Sequence, residues 1–592
     1  MAENKHHALT LTVAHINDTH SYFQPTSLQL SVREKPIQTE PSLQDKQCSL
    51  IPTHLNPYVS AGGFARISTR AQQLKAQAEK QGEGFLFLHA GDCFQGSLFF
   101  SLFKGEANAD LLNALEIDTM VLGNHELDMG NDPVAQFVKR IQFPLLAGNW
   151  DLSNEDENKP LRLSTAANVK SYDLQTRSAQ WITKSFGSEE VAIFGLSIDK
   201  MSSIANPDPD TPFIDAITTA RITIAAIQQS GINKIILLSH LGYEADLALA
   251  EKVEGLSLIV GGHSHRLQGD FSDIGLSKDD EYGVKIHDTY VVQAGCHAMH
   301  LGHCTIEFNE NGQVTRFSGQ NELLIGRRLF VDASRREEIS ENARPWVCEQ
   351  LESTQNVRVC RKDPKVQGIL ENKYLPKVSE LQNQVVAYTA RPLRHVRVPD
   401  EQGPSELAPL VAQSFHYALN KAGHKVDFAI HNAGGVRNSL EAGEVSVADI
   451  AGKLLSFAVP IGCYRVTGRV IQQMLEGAIN NATNNGVEGT GTGSYPYVYN
   501  LRYRYIATAP VGERVSELAI YQEGLGWQPI EIEKIYSGSS SAYTMKGKEG
   551  YHAVLQSHGE NMISHFSMSD CLLEMLTDHP ESLSSPKILE YA

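Results

Sequence analysis

Positive charge is in deficit along this 592-residue chain: 51 Lys and Arg stand against 69 Asp and Glu, a formal net charge of −18. That balance argues against nucleic acid as the main partner, because a phosphate backbone is held by clustered Lys and Arg. Cysteine is sparse too. Its eight residues, at 48, 93, 296, 304, 348, 360, 463 and 571, are scattered and mostly in apolar contexts. They predict reduced, structural thiols rather than a disulfide framework. No apolar run approaches the roughly 20 residues of a membrane span, so no membrane partner is expected. Met1 to Ala8 lacks both the apolar stretch of about 7–15 residues and the small-residue cleavage site of a signal peptide. The expectation is a cytoplasmic protein, or a periplasmic or secreted one if a leader has been removed.

With 41% hydrophobic and 20% charged residues, what remains is an ordinary globular composition. The length requires more than one core. Strand-like and helix-like segments alternate as far as Gly262, the pattern of α/β layering. We divide the chain into a first domain over 8–330, a linker with helix over 331–382 and a second α/β domain over 383–575. Residues 24–60, rich in Gln, Ser and Pro, read as a long, mostly solvated insertion loop. Gly62 to Gln81 predicts an amphipathic helix. Val291 to Gly295 and Gly302 to Phe308 predict closing strands of the first domain.

One event recurs five times. Thr10–Ile16 runs into Asn17-Asp18-Thr19-His20, Phe85–His89 into Ala90-Gly91-Asp92, and Met120–Leu122 into Gly123-Asn124-His125-Glu126-Leu127-Asp128. Lys234–Leu238 then runs into Ser239-His240, and Leu256–Val260 into Gly261-Gly262-His263-Ser264-His265. Each apolar run reads as a buried strand, and open α/β sheets place their chemistry at strand C-terminal ends. A single such polar loop is an ordinary turn about as often as not. Five in series deliver Asp18, His20, Asp92, Asn124, His125, Asp128, His240, His263 and His265 to strand ends.

This set is imidazole, carboxylate and amide with no thiolate, which suits Zn²⁺, Mn²⁺, Fe²⁺, Co²⁺ or Ni²⁺ without choosing among them. Nine candidates exceed the needs of one ion, and an aspartate can bridge two ions roughly 3.5–4 Å apart, an arrangement suited to phosphate-ester hydrolysis. His125, oriented by Asp128, is placed to act as general acid. In the second domain, Asn432-Ala433-Gly434-Gly435-Val436-Arg437 offers backbone N–H groups and a guanidinium to an anion. Asn485 to Gly493 reads as a mobile loop. Tyr551, after Gly547-Lys548-Glu549-Gly550, is a core tyrosine or a stacking platform.

The five motifs in this order resemble those of calcineurin-like metallophosphoesterases, and with the Asn432–Arg437 and Gly547–Tyr551 loops the chain resembles the 5′-nucleotidase family over nearly its whole length. The resemblance implies a four-layer α/β sandwich followed by an α/β substrate-binding domain. It implies one ion on Asp18, His20, Asp92 and His265 and another on Asp92, Asn124, His240 and His263. His125 and Asp128 would be catalytic; Asn432, Gly434, Arg437 and Tyr551 would bind substrate, with a domain rotation about the linker. The chain departs from the family pattern at Ile461, where an aromatic is usual, at Lys548-Glu549, and at an arginine whose place Arg394 or Arg397 would fill. The function expected is dimetal-dependent hydrolysis of phosphate monoesters, chiefly 5′-nucleotides. The alternatives are the same hydrolase acting on a 2′,3′-cyclic nucleotide, nucleotide sugar, non-nucleotide phosphate or thiosulfate-type ester, and a non-catalytic binding protein.

Overall fold

A computed structural model describes residues 7–33 and 54–584. The five apolar runs form strands His7–Ile16, Gly84–His89, Thr119–Val121, Lys234–His240 and Leu258–Val260. The first three are parallel neighbours in a ten-stranded sheet, and the other two are parallel neighbours in a six-stranded one. Of the two predicted closing strands, Thr289–Val292 joins the six-stranded sheet and His300–Asn309 the ten-stranded one.

Each strand buries both faces, which is why its sequence is apolar without alternation. Leu11 and Val13 meet Ile193, Ile236, Leu238 and Val260 between the sheets. Ala14 and Ile16 face the other way, into a core covered by helices Phe64–Gln81 and Glu106–Leu115. Helices Ala216–Gln229 and Tyr243–Lys252 cover the outer face of the six-stranded sheet. The result is the expected four-layer sandwich. Helix Phe64–Gln81 buries Phe64, Ile67, Ala71, Leu74 and Ala78 at alternating three- and four-residue steps and stops at Gly82, whose φ of 72° is the left-handed C-terminal signal.

Two expectations need correction. The 24–60 stretch is not simply a solvated loop: Thr26–Gln29 pairs with Tyr58–Ala61, which pairs with Val314–Phe330, and Leu30, Val32 and Val59 are buried. Its middle, 34–53, lies outside the described residues. The 331–382 linker is likewise shorter than expected. Val357–Val359 adds to the first sheet beside Leu323–Ile325, and Val347 and Leu351 pack under it. The connection proper is the helical run from Pro364 to Gln382, whose Val366, Leu370, Tyr374 and Val378, four residues apart, pack on the first domain.

The second domain has a five-stranded sheet in the order Pro496–Tyr499, Phe428–Asn432, Ile535–Ser541, Pro460–Thr467, Met562–Ser567. Helices Ala408–Lys421 and Met568–Asp578 pack on one face and Gly468–Thr483 on the other. Among the described residues no helix is long and apolar enough to cross a membrane.

Candidate active site

All seven expected metal ligands converge where the strand ends of the two sheets meet. Asp18, His20 and His265 form one group able to hold an ion, and Asp92, His240 and His263 form a second. Asn124 Oδ1 lies 2.9 Å from His263 Nδ1 and 3.3 Å from His240 Nε2, which puts the amide in the second group. His265 Nε2 lies 3.4 Å from Asp18 Oδ1 and 3.1 Å from His20 Nε2.

Backbone geometry marks these positions. Asp18, His20, Asp92, His263 and His265 have φ between 47° and 71°, so five of the seven are non-glycine residues in the left-handed region. Such conformations cost on the order of 1 kcal/mol or more each and cluster at functional sites. Glycines let the turns close. A Cβ at Gly123 would lie 2.2 Å from Asp92 Oδ1, and one at Gly91 would lie 2.5 Å from His240 Nδ1.

The imidazoles are oriented by the main chain. His240 Nδ1 donates to the Ala90 carbonyl at 2.7 Å and His20 Nδ1 to the Phe94 carbonyl at 3.1 Å, so each turns Nε2 inward. His240 Nε2 then meets Asp92 Oδ2 at 3.0 Å and Asn124 Oδ1 at 3.3 Å. Burial opposes charge on His240, yet the Asp92 carboxylate pushes it up to about 10. The cluster therefore calls for positive charge at its centre. Burial holds His20 down to about 3 and His263 to about 4, leaving them neutral and free to ligate. These donors fit a pair of divalent cations.

His125 Nδ1 donates to Asp128 Oδ2 at 2.6 Å. Burial disfavours the imidazolium, but the Asp128 and Asp92 carboxylates outweigh it and push His125 up to about 9. Glu126, between them, was not singled out from sequence. Its buried carboxylate accepts the N–H groups of Asp92, Cys93, Phe94 and Gly123 at 2.7–3.0 Å. Burial and Asp92 push it up to about 7, yet four donors are satisfied only by the carboxylate form. An acid inside a motif otherwise read as ligands was the available signal.

A cavity of about 480 Å³ joins this cluster to the second domain, with Asp92, His125, His263 and His265 on one wall and Asn432, Gly434 and Arg437 on the other. Arg437 reaches over the Phe457 ring at 5.3 Å, and that ring lies 5.3 Å from His125. Ala458 N donates to Gln95 Oε1 at 2.8 Å, tying the Phe457 turn to the loop after Asp92.

Tyr551 departs from expectation. It is 1% exposed, its hydroxyl donates to the Ser494 carbonyl at 2.8 Å, and it does not line the cavity. It belongs to the core because Gly550 packs directly on Gly477 and draws the chain inward. The aromatic walls are instead Phe457 and Tyr543, neither singled out from sequence. Ile461 is fully buried. Of the two arginines considered, Arg397 lines the cavity, whereas Arg394 is held by Asp400 at 2.7 and 2.9 Å. Thr490 to Gly493 form part of the wall, with the Thr490 hydroxyl accepting from Asn481 Nδ2 at 3.0 Å, so that loop is anchored rather than free.

Residues 11–267 match the family model of calcineurin-like phosphoesterases, and residues 385–556 that of the 5′-nucleotidase C-terminal domain. The chain is 30% identical over 560 residues to a probable 5′-nucleotidase of Treponema pallidum, covering 91% of this chain and 87% of that one. It is 29% identical over 568 residues to the NAD 5′-nucleotidase of Haemophilus influenzae, covering 93% and 86%. The crystal structure of a 5′-nucleotidase precursor from Thermus thermophilus superposes with a TM-score of 0.65 at 26% identity, covering 96% of both chains. Motif order, sandwich and second domain thus agree along the whole length, and the chain belongs to the 5′-nucleotidase family of metallophosphoesterases.

Proposed function

We propose that this protein hydrolyses phosphate monoesters with a pair of divalent metal ions, and that its substrates are 5′-nucleotides, released as nucleoside and phosphate. The observation that carries the reading is one cavity bounded by Asp92, by His125 with its Asp128 partner, and by Arg437 from the other domain. Asp18, His20, Asp92 and His265 would hold one ion and Asp92, Asn124, His240 and His263 the other. When bound, such a pair supplies positive charge to the phosphoryl oxygens and lowers the pKa of water.

The protein's own groups do the rest. Asp128 fixes the His125 ring through Nδ1, leaving Nε2 to carry a proton for the departing alkoxide oxygen. Arg437 and Arg397 bring guanidinium charge to the substrate side, where planar forks suit phosphate. Phe457 and Tyr543 offer aromatic surface to a nucleobase. The names borne by the relatives from Treponema pallidum and Haemophilus influenzae support a nucleotide substrate. The test is inorganic phosphate release from a panel of 5′-nucleotides, cyclic nucleotides, nucleotide sugars and sugar phosphates, with and without chelator. Chelator-sensitive turnover highest on 5′-nucleotides is expected; preference for a non-nucleotide ester would overturn the substrate assignment.

A further inference from the structure

A second hollow, of about 680 Å³, shares no lining residue with the catalytic cavity. It lies between the end of strand Val314–Phe330, the turn that follows, and the Val359–Lys362 segment. In a chain of net charge −18, six of its twelve lining residues are cationic (Arg66, Arg327, Arg328, Arg335, Arg361 and Lys362) and none is acidic. Arg328 is engaged by Glu338 at 2.7 Å. Among the described residues the other five form no close ion pair, although the Glu371 carboxylate acts on Lys362 from farther off.

Arg66 lies deepest, at 5% exposure. Its guanidinium donates to the Gly62 carbonyl at 2.8 Å, to Ser60 Oγ at 3.1 Å and to the Cys360 carbonyl at 3.3 Å, all neutral acceptors. The backbone makes room for it, since a Cβ at Gly326 would lie 2.6 Å from Arg66 Nη2. Burial, with Arg335 nearby, pulls Arg66 down to about 10, and burial with Arg66 lowers Lys362 as well. A buried cation without a counter-charge is costly; around Arg66, Arg335 is half-buried and Arg327, Arg361 and Lys362 are exposed, open to an arriving ligand. An anion there relieves that cost.

We propose that this hollow is a second, non-catalytic site for a compact polyanion carrying two or more linked phosphoryl groups. Guanidinium forks match phosphate oxygens bidentately, and four arginines that form no ion pair among the described residues, Arg66, Arg327, Arg335 and Arg361, exceed what a single carboxylate or phosphate can neutralise. The volume is that of a small-molecule site. The ligand would sit at the root of the interdomain helix: Arg66 holds the Cys360 carbonyl, and Asp363 N donates to the Ala65 carbonyl at 2.8 Å, just before Pro364. Inorganic condensed phosphate and a nucleoside polyphosphate share this chemistry.

Calorimetric titration of the metal-loaded full chain with pyrophosphate, and separately with the β,γ-methylene analogue of ATP, distinguishes the sources. We expect a binding event that persists in Arg437→Ala and is weakened at least tenfold in the double variant Arg335→Glu/Arg361→Glu, with kcat and KM for phosphate-monoester hydrolysis unchanged. Tighter binding of the analogue assigns the site to nucleotides, and equal or tighter binding of pyrophosphate assigns it to condensed phosphate. If charge reversal lowers the melting temperature, Arg335→Gln/Arg361→Gln carries the same expectation. Neither probe binding outside the catalytic cavity, or both binding the double variant as they bind the parent, would overturn the proposal.

Discussion

The carboxylate of Glu126 accepts the backbone N–H of Asp92 at 3.0 Å, across 34 positions of sequence. With three further N–H groups on the same carboxylate, this residue holds the turn that presents Asp92 to His240 and His263. Glu126→Gln would set amide hydrogens against backbone donors. Unmet buried donors cost about 1–3 kcal/mol, so we predict a lower melting temperature and a drop in bound metal. An unchanged melt and full metal content would show that the cradle has no structural role.

His125 is expected to act on the leaving group rather than on the metals. His125→Ala should lower kcat by about 10²–10⁴-fold, most on esters with poor leaving groups, while metal content by elemental analysis stays at the parental level. Asp128→Asn should fall between the two. Unaltered turnover on a nucleoside monophosphate would remove His125 as the acid.

On the substrate side, Arg437→Ala and Arg397→Ala should each raise KM more than they lower kcat. Phe457→Ala should weaken nucleotides by roughly 1–3 kcal/mol of stacking while sparing a small ester without a base. Tyr551→Phe should leave KM alone and cost only about 1 kcal/mol of stability through the lost bond to Ser494. A KM effect at Tyr551 would restore the role its sequence position implied.

Acid sensitivity should arise away from the metals. His300 and His431 are buried with no protein partner for either ring nitrogen, and burial lowers His300 to about 4 and His431 to about 3. Unfolded imidazoles titrate near 6.5. Between that value and the folded ones the unfolded chain binds more protons, so their contribution is complete above about 6.5 and is lost as pH falls toward 4 and 3. At about 1.4 kcal/mol per unit of difference, each is worth a few kcal/mol. Denaturant midpoints measured from pH 7 to 4 should fall steeply in the parent and less in a His300→Phe/His431→Phe variant. Parallel curves would assign the acid sensitivity to other groups.

The first domain was legible because each ligand follows directly on the strand that positions it, so contiguous sequence carried both the element and the chemistry. Asp18, Asp92 and His240 are cases in point. The second-domain pocket was legible only in part: Asn432, Gly434 and Arg437 share one contiguous loop and line it, whereas Phe457 and Tyr543 come from separate loops and meet them only through the tertiary fold. Tyr551 shows the same limit, since the packing of Gly550 on Gly477 decides which way it faces. In the insertion a signal was present: Leu28, Leu30 and Val32 alternate with polar neighbours as an edge strand does, but the run is short and Pro-flanked.

Asp92 is expected to join two cation sites that act together. The most direct measurement is metal stoichiometry against phosphate release, with the apo-protein titrated with a divalent ion while turnover of a nucleoside monophosphate is followed. Two ions per chain are expected, with activity rising with the second equivalent and both ions lost in Asp92→Ala. Full activity at one equivalent, or an Asp92→Ala variant that retains two ions, would contradict it.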